Sequence, residues 1–440
     1  MKIKKLSLAL AMACVLAAGS AQAATDIQFW YSNTGAIGDE IKSIVNRFNE
    51  SQPDYKVVAV YKGGYAESMT AAIAAYRAGK APDIVQVFEV GTATMMAGGK
   101  AVKPVWQVMA QAHEKFSTKA YLPAVASYYS DTHGRLVSMP FNSSTPVFFY
   151  NKDMFKKAGL DPNNPPKTWD EVQADAEKLK DAGIACPFTT AWQSWVQLEA
   201  MSAWLNQPFA TENNGFGGLG AKLEFNNEVI LRHIAKLSSW VKSGLFIYAG
   251  RSGAADAKFT SGECAMYTGS SSVYGLAKGV GKVDFGVSQL PYYPDVKGAP
   301  YNTIIGGASL WVMGGKKPIE YKGVAKFFTF LSSPEIQAEW HQKTGYVPIT
   351  KAAYELSKKQ GYYEKNPGTD VAIKQLERNP TVNTKGIRLG NFPQIRTIDN
   401  EELEAVWSGK KGPKEALDDA VARGNAELRK FQRANPGAHY

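Results

Sequence analysis

The residues that most often carry enzyme chemistry are scarce in this chain. Its 440 residues include three cysteines and five histidines. No histidines are spaced as HxH or HExxH, so a zinc site has little support, and neither a GxSxG elbow nor a Walker loop is present. We therefore predict no catalytic residue, no metal site and no cofactor, in a protein that does no chemistry on what it binds.

One glycine-rich run matches a dinucleotide-binding fingerprint in spacing alone. It contains Gly215, Gly217 and Gly220, with TENN before it and LEF after it. The fingerprint needs a strand before the glycines and a helix after them, so we interpret this run as a loop. A pair of carboxylates for hydrolysis stays open, because their spacing is three-dimensional.

Long hydrophobic runs are also rare, and the one at the N-terminus predicts export. Lys2, Lys4 and Lys5 precede an apolar run over 6–18, and residues 21–23 (AQA) form a small-x-small cleavage site. We predict that residues 1–23 are a signal peptide. No later run reaches the ~18 apolar residues of a membrane-spanning helix.

Basic blocks are absent although the chain is positively charged. The net charge is +10, and removing the three leader lysines leaves +7. These charges are spread among acidic residues, so the sequence predicts no nucleic-acid partner. A mild positive balance fits an anionic small ligand. The two cysteines outside the leader, Cys186 and Cys264, could pair in an oxidising compartment or remain buried free thiols.

Alternating strand and helix signals predict an α/β protein. Strands are expected at 26–31, 55–61 and 84–90, with helices between them, which predicts largely parallel strands in this part. Ser333 and Pro334 predict a helix start, and so do Thr168 and Glu171, which form a capping box. The end of the chain, 401–432, is expected to be helical and amphipathic.

Two lobes are expected from the length of the chain. Crossings near Phe141 and Tyr301 give an N-terminal lobe of 24–141 plus 306–350 and a C-terminal lobe of 142–305 plus 351–440. Ligands of open α/β sheets bind at the carboxyl ends of strands, so a cleft between the lobes is the predicted site.

Several segments, in order along the chain, resemble family 1 extracellular solute-binding proteins. They are 77–84 (RAGKAPDI), 150–160 (YNKDMFKKAGL), 166–169 (PKTW), 259–266 (FTSGECAM), and the run from Phe328 through Pro334 to 344–348 (TGYVP). The resemblance implies a two-lobed type II periplasmic-binding-protein fold with mixed sheets and a hinge of crossing segments. It also implies a periplasmic monomer that delivers a solute to an ABC importer, a membrane complex of permease subunits with a cytoplasmic ATPase.

Within that family, five further segments resemble the members that bind glycerol phosphates. These are 61–65 (YKGGY), 89–96 (EVGTATMM), 141–146 (FNSSTP), 305–311 (IGGASLW) and 388–396 (RLGNFPQIR). This implies that the ligands are sn-glycerol-3-phosphate and glycerophosphodiesters such as glycerophosphocholine. The implied ligand contacts are Tyr65, Glu89, Ser144, Ser270, Gly307, Tyr346 and Arg396, and Trp192 and Trp195 resemble the pocket tryptophans of the family.

The chemistry of these residues fits a buried phosphate ester. A buried dianion needs several donors and a positive charge, so Arg396 is expected to give a bidentate fork to phosphate from an ordered loop. Ser144 and Ser270 add hydroxyl donors, with Ser270 at a helix start. Glu89 would repel phosphate and should accept from the glycerol hydroxyls instead.

Other functions stay open at this point. A sugar-binding or oligosaccharide-binding protein of the same fold would suit the 12% aromatic content, because aromatic rings stack on sugars. A secreted phosphodiesterase is a further alternative, against which the missing metal spacing argues. Each site residue also has a purely structural interpretation, such as a surface ion pair for Arg396 and core packing for the tryptophans.

Overall fold

The structure is a computed structural model that describes residues 23–378 and 380–438. All but the last residue of the predicted signal peptide 1–23 lies outside the described residues, so that prediction stands as made.

Within the described residues, ten strands form two sheets. The strands are β1 Thr25–Tyr31, β2 Tyr55–Tyr61, β3 Ile84–Phe88, β4 Val102–Lys103, β5 Met139–Ser144, β6 Pro146–Asn151, β7 Cys186–Thr190, β8 Cys264–Ser270, β9 Phe285–Ser288 and β10 Gly306–Met313.

Helices surround the sheets. They are α1 Gly35–Ser51, α2 Tyr65–Arg77, α3 Thr92–Met96, α4 Val105–Gln111, α5 Pro123–Tyr128, α6 Lys152–Lys157, α7 Trp169–Asp181, α8 Met201–Trp204, α9 Thr211–Asn214, α10 Glu228–Ser243, α11 Asp256–Thr260, α12 Val273–Val280, α13 Pro318–Leu331, α14 Pro334–Thr344, α15 Lys351–Lys359, α16 Tyr362–Lys365, α17 Val371–Leu376, α18 Phe392–Trp407 and α19 Pro413–Ala434. Short 3₁₀ helices cover Glu89–Gly91, Gly99–Ala101 and Thr118–Ala120, and a π-helix covers Trp195–Ala200.

The larger sheet is mixed. Its order is β2-β1-β3-β10-β4, and β5 pairs with β10. Strands β1, β2 and β3 are parallel, as predicted, whereas β10 runs antiparallel to β3, β4 and β5. The expectation of largely parallel strands therefore holds only for the first three, because β10 returns from a distant part of the chain.

The smaller sheet has the order β7-β8-β6-β9. Strand β6 is antiparallel to β8 and β9, and β7 is parallel to β8. Cys186 and Cys264 are register partners on β7 and β8 and form a disulfide. The choice that the sequence left open between a bridge and free thiols is thereby resolved in favour of the bridge.

The strands of the two sheets separate along the chain, but the proposed lobes remain a prediction. The larger sheet takes strands from 25–144 and 306–313, and the smaller sheet takes strands from 146–288. Strand β5 runs through the predicted boundary at 141 and ends at Ser144. The division into 24–141 plus 306–350 and 142–305 plus 351–440 follows the sheets only in outline.

Local helix signals were mostly reliable. The Thr168–Glu171 capping box opens α7, and the Ser333 side chain caps α14, whose first residue is Pro334. The helical segment expected over 401–432 is confirmed, except for one break. It comprises parts of two helices, α18 and α19, separated by a turn in which Gly409 has φ +72°, a conformation that glycine adopts readily.

Each sheet packs against helices through an aromatic core. Trp169, Phe188 and Trp240 pack together beside the smaller sheet, and Phe29, Phe48 and Phe327 do so beside the larger one. No helix within the described part of the chain is both long enough and apolar enough to span a membrane.

Candidate functional site

A cleft of about 650 Å³ opens where strands of both sheets end. Residues after β1 and β3, at the ends of β5 and β8, and at the start of β10 contribute to its walls. All nine predicted site residues line it: Tyr65, Glu89, Ser144, Trp192, Trp195, Ser270, Gly307, Tyr346 and Arg396. The volume lies within the range of about 300–1,000 Å³ that is typical of small-molecule sites.

Arg396 lies between two buried glutamates. Its Nε and Nη2 donate to the two oxygens of Glu199 at 2.9 and 2.6 Å, and Nη2 also donates to Glu89 at 2.6 Å. The side chain belongs to the helix α18, so the expectation that Arg396 sits on an ordered loop was wrong. Glu89 belongs to the 3₁₀ helix that follows β3, and not to the strand end predicted at 84–90.

Arg396, Glu89 and Glu199 form an ion cluster, and all three side chains are buried. Burial raises the pKa of Glu89, and Glu199 adds to this shift while Arg396 opposes it. Burial opposes the charge on Arg396, yet Glu199 and Glu89 together raise its pKa. The guanidinium therefore stays protonated and ties two carboxylates together.

A third carboxyl, Asp399, lies one helical turn further along α18. It is fully buried, and neither of its oxygens has a hydrogen-bond partner among the described residues. Burial, reinforced by Glu199, raises the pKa of Asp399 well above its usual value. Burial therefore favours the uncharged form of this carboxyl.

A polar network orients the Tyr65 hydroxyl at the cleft wall. Asn142 and Asn33 donate to the Tyr65 oxygen at 2.9 and 3.3 Å. The Gln86 amide donates in turn to the side-chain oxygens of both asparagines, at 2.8 and 2.7 Å. The Tyr65 oxygen thus accepts twice, and its hydroxyl also forms a hydrogen bond with the Tyr346 side chain.

Three helices begin at the cleft. The first turns of α1, α2 and α12 line it, and none of the three has a side-chain cap on its N-terminal amides. Helix α2 carries Glu67 in its first turn, whereas α1 and α12 have no acidic residue there. The partial positive charge of α1 and α12 therefore makes their end of the cleft suited to an anion.

Two serines lie at strand ends beside these helices. Ser144 ends β5 and Ser270 ends β8. The expected helix start at Ser270 was two residues early, because Ser272 occupies the N-cap of α12. The Ser270 hydroxyl accepts from the Ser272 backbone N–H at 3.2 Å and lies 2.8 Å from its hydroxyl.

Gly307 and Tyr346 complete this wall. Gly307 has φ +86°, and a Cβ there would lie 1.9 Å from the Asn142 carbonyl oxygen, so no larger residue fits. Tyr346 stacks on Trp340 with a ring separation of 5.8 Å. His341 Nδ1 donates to the Tyr346 carbonyl oxygen at 2.5 Å, and burial lowers the pKa of this histidine to about 4.

The two tryptophans approach the cleft from the segment after β7. Trp192 has φ +47°, a backbone conformation that is rare outside glycine. Its backbone N–H donates to the Ser252 carbonyl oxygen at 2.7 Å. Trp195 opens the π-helix and packs against Gly306. The Trp195 indole N–H is buried and has no hydrogen-bond partner among the described residues.

Sequence reasoning missed several residues of the site. Glu199, Gln86 and Asn142 are buried and support Arg396 and Tyr65, and Asp256 lines the cleft. Asn142 stands beside Ser144 in a segment already singled out, so it could have been found. Glu199 gave no signal, because it lies 197 positions from its partner Arg396.

The site contains no arrangement that resembles a metal centre. Within 23–378 and 380–438, no group of three His, Cys, Asp or Glu side chains is placed to hold a metal ion.

A family model described as bacterial extracellular solute-binding protein matches residues 43–369. The chain belongs to this family. Among its curated relatives, the sn-glycerol-3-phosphate-binding periplasmic protein UgpB of Yersinia pseudotuberculosis is 56% identical over 435 residues, covering 98% of this chain and 99% of the relative. UgpB of Pectobacterium atrosepticum is 55% identical over 429 residues and covers 96% of both chains.

Solved structures of solute-binding proteins share the fold. UgpB from Mycobacterium tuberculosis, in complex with glycerophosphocholine, has a TM-score of 0.76 at 22% identity and covers 92% of this chain and 99% of its own. Maltose-bound MalE3 of T. maritima has a TM-score of 0.75 at 18% identity, covering 92% and 100%. The predicted type II periplasmic-binding-protein fold is confirmed.

Proposed function

We propose that this protein is a periplasmic receptor that captures sn-glycerol-3-phosphate and glycerophosphodiesters and delivers them to an ABC importer. One observation carries the proposal: the cleft has an end suited to an anion and, separately, an ion cluster suited to hydroxyl groups. The names of the relatives at 55–56% identity agree with it. The nine residues expected to contact the ligand remain part of this proposal.

The phosphate is assigned to the helix-start end of the cleft. The uncapped first turns of α1 and α12 supply backbone N–H groups and a favourable dipole there. Ser144, Ser270, Tyr65 and Tyr346 add neutral donors around it. These elements pack beside different sheets, so a phosphate bound between them would bridge the two halves of the cleft.

The glycerol hydroxyls are assigned to the ion cluster. Glu199 and Glu89 already occupy three of the five N–H donors of Arg396. A bidentate contact between phosphate and the Nε and Nη2 donors would have to displace the Glu199 carboxylate. We therefore revise the role expected for Arg396. Its remaining donors at Nη1 and the oxygens of Glu89 can instead donate to and accept from hydroxyls.

Diesters would place their substituent against the tryptophans. The ring faces of Trp192 and Trp195 suit a carbon chain, and they attract a quaternary ammonium such as choline by cation–π interaction. The Trp195 indole N–H is a further donor for the bound ester.

Export and the absence of catalysis are parts of the same proposal. The disulfide is typical of an oxidising compartment such as the periplasm, and the relatives are named as periplasmic proteins. A ligand that contacts both halves favours closure through its higher affinity for the closed state. The importer would recognise that closed form of a monomer, and no bond of the ligand is broken.

A thermal-shift panel tests the proposal. Glycerol-3-phosphate and glycerophosphocholine should each stabilise the purified protein, by about 2.7 kcal/mol at 100 times the dissociation constant, whereas maltose and inorganic phosphate should not. Stabilisation by maltose but not by glycerol-3-phosphate would favour the sugar-binding alternative. Free choline after incubation with glycerophosphocholine would favour the phosphodiesterase.

A further inference from the structure

We infer that Glu199 is a specificity-determining residue, whose carboxylate makes the Arg396 end of the cleft accept hydroxyl groups and reject a second negative charge. The inference rests on the proposed function and extends it to the class of solute that is refused. Glu199 does not line the cleft and is 1% exposed, so it acts through Arg396 as a positioning residue.

The first argument is geometric. An arginine binds phosphate or carboxylate best through two parallel N–H groups. Glu199 takes such a pair, Nε and Nη2, at 2.9 and 2.6 Å. Glu89 takes the other Nη2 hydrogen, so Nη1 alone retains both of its hydrogens for a ligand. Two hydrogens on one nitrogen suit separate hydroxyl oxygens better than a bidentate anion.

The second argument is the charge of the cluster. Two carboxylates, Glu89 and Glu199, share the single guanidinium of Arg396 in a buried setting, where like charges repel strongly. Burial disfavours a further charge on the neighbouring Asp399. Without the Glu199 charge the cluster would be neutral, and Arg396 could pair with an anionic group of a ligand.

The inference separates two compounds of nearly equal size. Glycerol-3-phosphate carries a terminal CH₂OH group where 3-phosphoglycerate carries a carboxylate. With phosphate at the α1 and α12 end, that carboxylate would face the negative cluster. Like-charge juxtaposition costs several kcal/mol, so the wild-type protein should prefer glycerol-3-phosphate by at least about 100-fold.

Calorimetric titration of both compounds into wild-type protein and the Glu199→Gln variant tests this. Glutamine keeps the size of the side chain and can still accept from Nε, but it removes the charge and frees Nη2. The ratio of the two affinities should narrow by at least about tenfold, because glycerol-3-phosphate binds more weakly and 3-phosphoglycerate more strongly.

Two variants separate specificity from general damage. Glu199→Asp retains the charge, so both affinities should fall while their ratio stays close to the wild-type value. Glu415→Gln removes an exposed carboxylate elsewhere on the protein and should change neither affinity.

Three results would overturn the inference while leaving the proposed function intact. They are equal binding of the two compounds by the wild-type protein, an unchanged ratio in folded Glu199→Gln, and a ratio lost equally in Glu199→Asp. The wild-type comparison needs no variant, so it decides even if Glu199→Gln does not fold. Failure of the wild-type protein to bind glycerol-3-phosphate would instead overturn the proposed function.

Discussion

Arg396 connects the two sides of the cleft through its contacts with two buried carboxylates. It joins Glu89, which follows β3 of the larger sheet, to Glu199, which lies in the π-helix after β7 of the smaller sheet. Truncating it would remove a proposed ligand donor and also leave two buried carboxylates without their cation, which is costly in a setting of low polarity.

We expect Arg396→Ala to weaken glycerol-3-phosphate binding by about 2–5 kcal/mol, the loss typical of one partner in a buried charged pair. Isothermal titration calorimetry measures this directly. Arg433→Ala removes an exposed arginine on α19 and should retain wild-type affinity. Wild-type affinity in folded Arg396→Ala would remove Arg396 from the proposed site.

Asp256 should make anion binding depend on pH. Burial raises the pKa of this cleft carboxyl to about 6, although a hydrogen bond from Tyr267 opposes the shift. Above pH 6 the carboxylate repels an anionic ligand, and below it the neutral acid does not. Because an anion nearby raises that pKa further, binding takes up a proton and affinity rises as the pH falls through 6.

Glycerophosphoglycerol tests this, since its phosphodiester has no proton to lose between pH 5 and 8. Its affinity should rise about two- to fivefold from pH 7.5 to 5.5, as expected for loss of one like charge across a solvated cleft. Asp256→Asn should flatten the profile, and an equally steep profile in that variant would exclude Asp256 as the cause.

For individual residues, the sequence predicted which side chains line the cleft better than it predicted the contacts that those side chains make. The nine residues implied by the family resemblance all line one cleft. The sequence predicted a bidentate fork from Arg396 but not what holds its side chain, because an isolated arginine shows its donors but not its partners. Those partners, Glu89 and Glu199, are 307 and 197 positions away, and no periodic pattern connects them.

At the scale of elements, the pairing of β10 with β5 determines one wall of the cleft. Gly307 is the register partner of Ser143, next to the pair formed by Gly306 and Ser144. Gly307 has a positive φ, and a Cβ there would lie 1.9 Å from the Asn142 carbonyl oxygen. A side chain at this position would therefore push the two strands apart.

Gly307→Ala should therefore destabilise the protein by more than about 1 kcal/mol, the cost of a left-handed alanine alone. Urea unfolding measures the difference. Gly79→Ala is the matched control, because Gly79 also has φ +69° but nothing lies within 4 Å of an added Cβ. Equal losses in the two variants would show that the clash with Asn142 does not contribute.

Elements were predictable where the signal was local and failed where it was not. Helix α7 has its capping box within four residues, and β2 was correct over Tyr55–Tyr61. The break between α18 and α19 was missed because amphipathic spacing continues on both sides of it. The antiparallel entry of β10 into the larger sheet depends on contacts across more than 200 positions, which spacing does not encode.

For the whole molecule, the Cys186–Cys264 disulfide closes a loop with a sequence separation of 78. Cross-linking a chain over such a distance restricts the unfolded state, and removing a native disulfide typically costs about 2–5 kcal/mol. The double variant Cys186→Ala, Cys264→Ala should lose stability in that range when urea unfolding is followed by circular dichroism. Wild-type protein kept reduced should match it, and equal stability of oxidised protein and variant would contradict the argument.

The same loop contains Trp192, Trp195 and Asp256, which line the cleft, and Glu199, which holds Arg396 from behind it. The Cys186–Cys264 disulfide joins the two ends of this loop, and its formation requires an oxidising environment. Neither cysteine belongs to the larger sheet, so an oxidising environment acts directly on the segment that carries both tryptophans and only indirectly on the opposite side of the cleft.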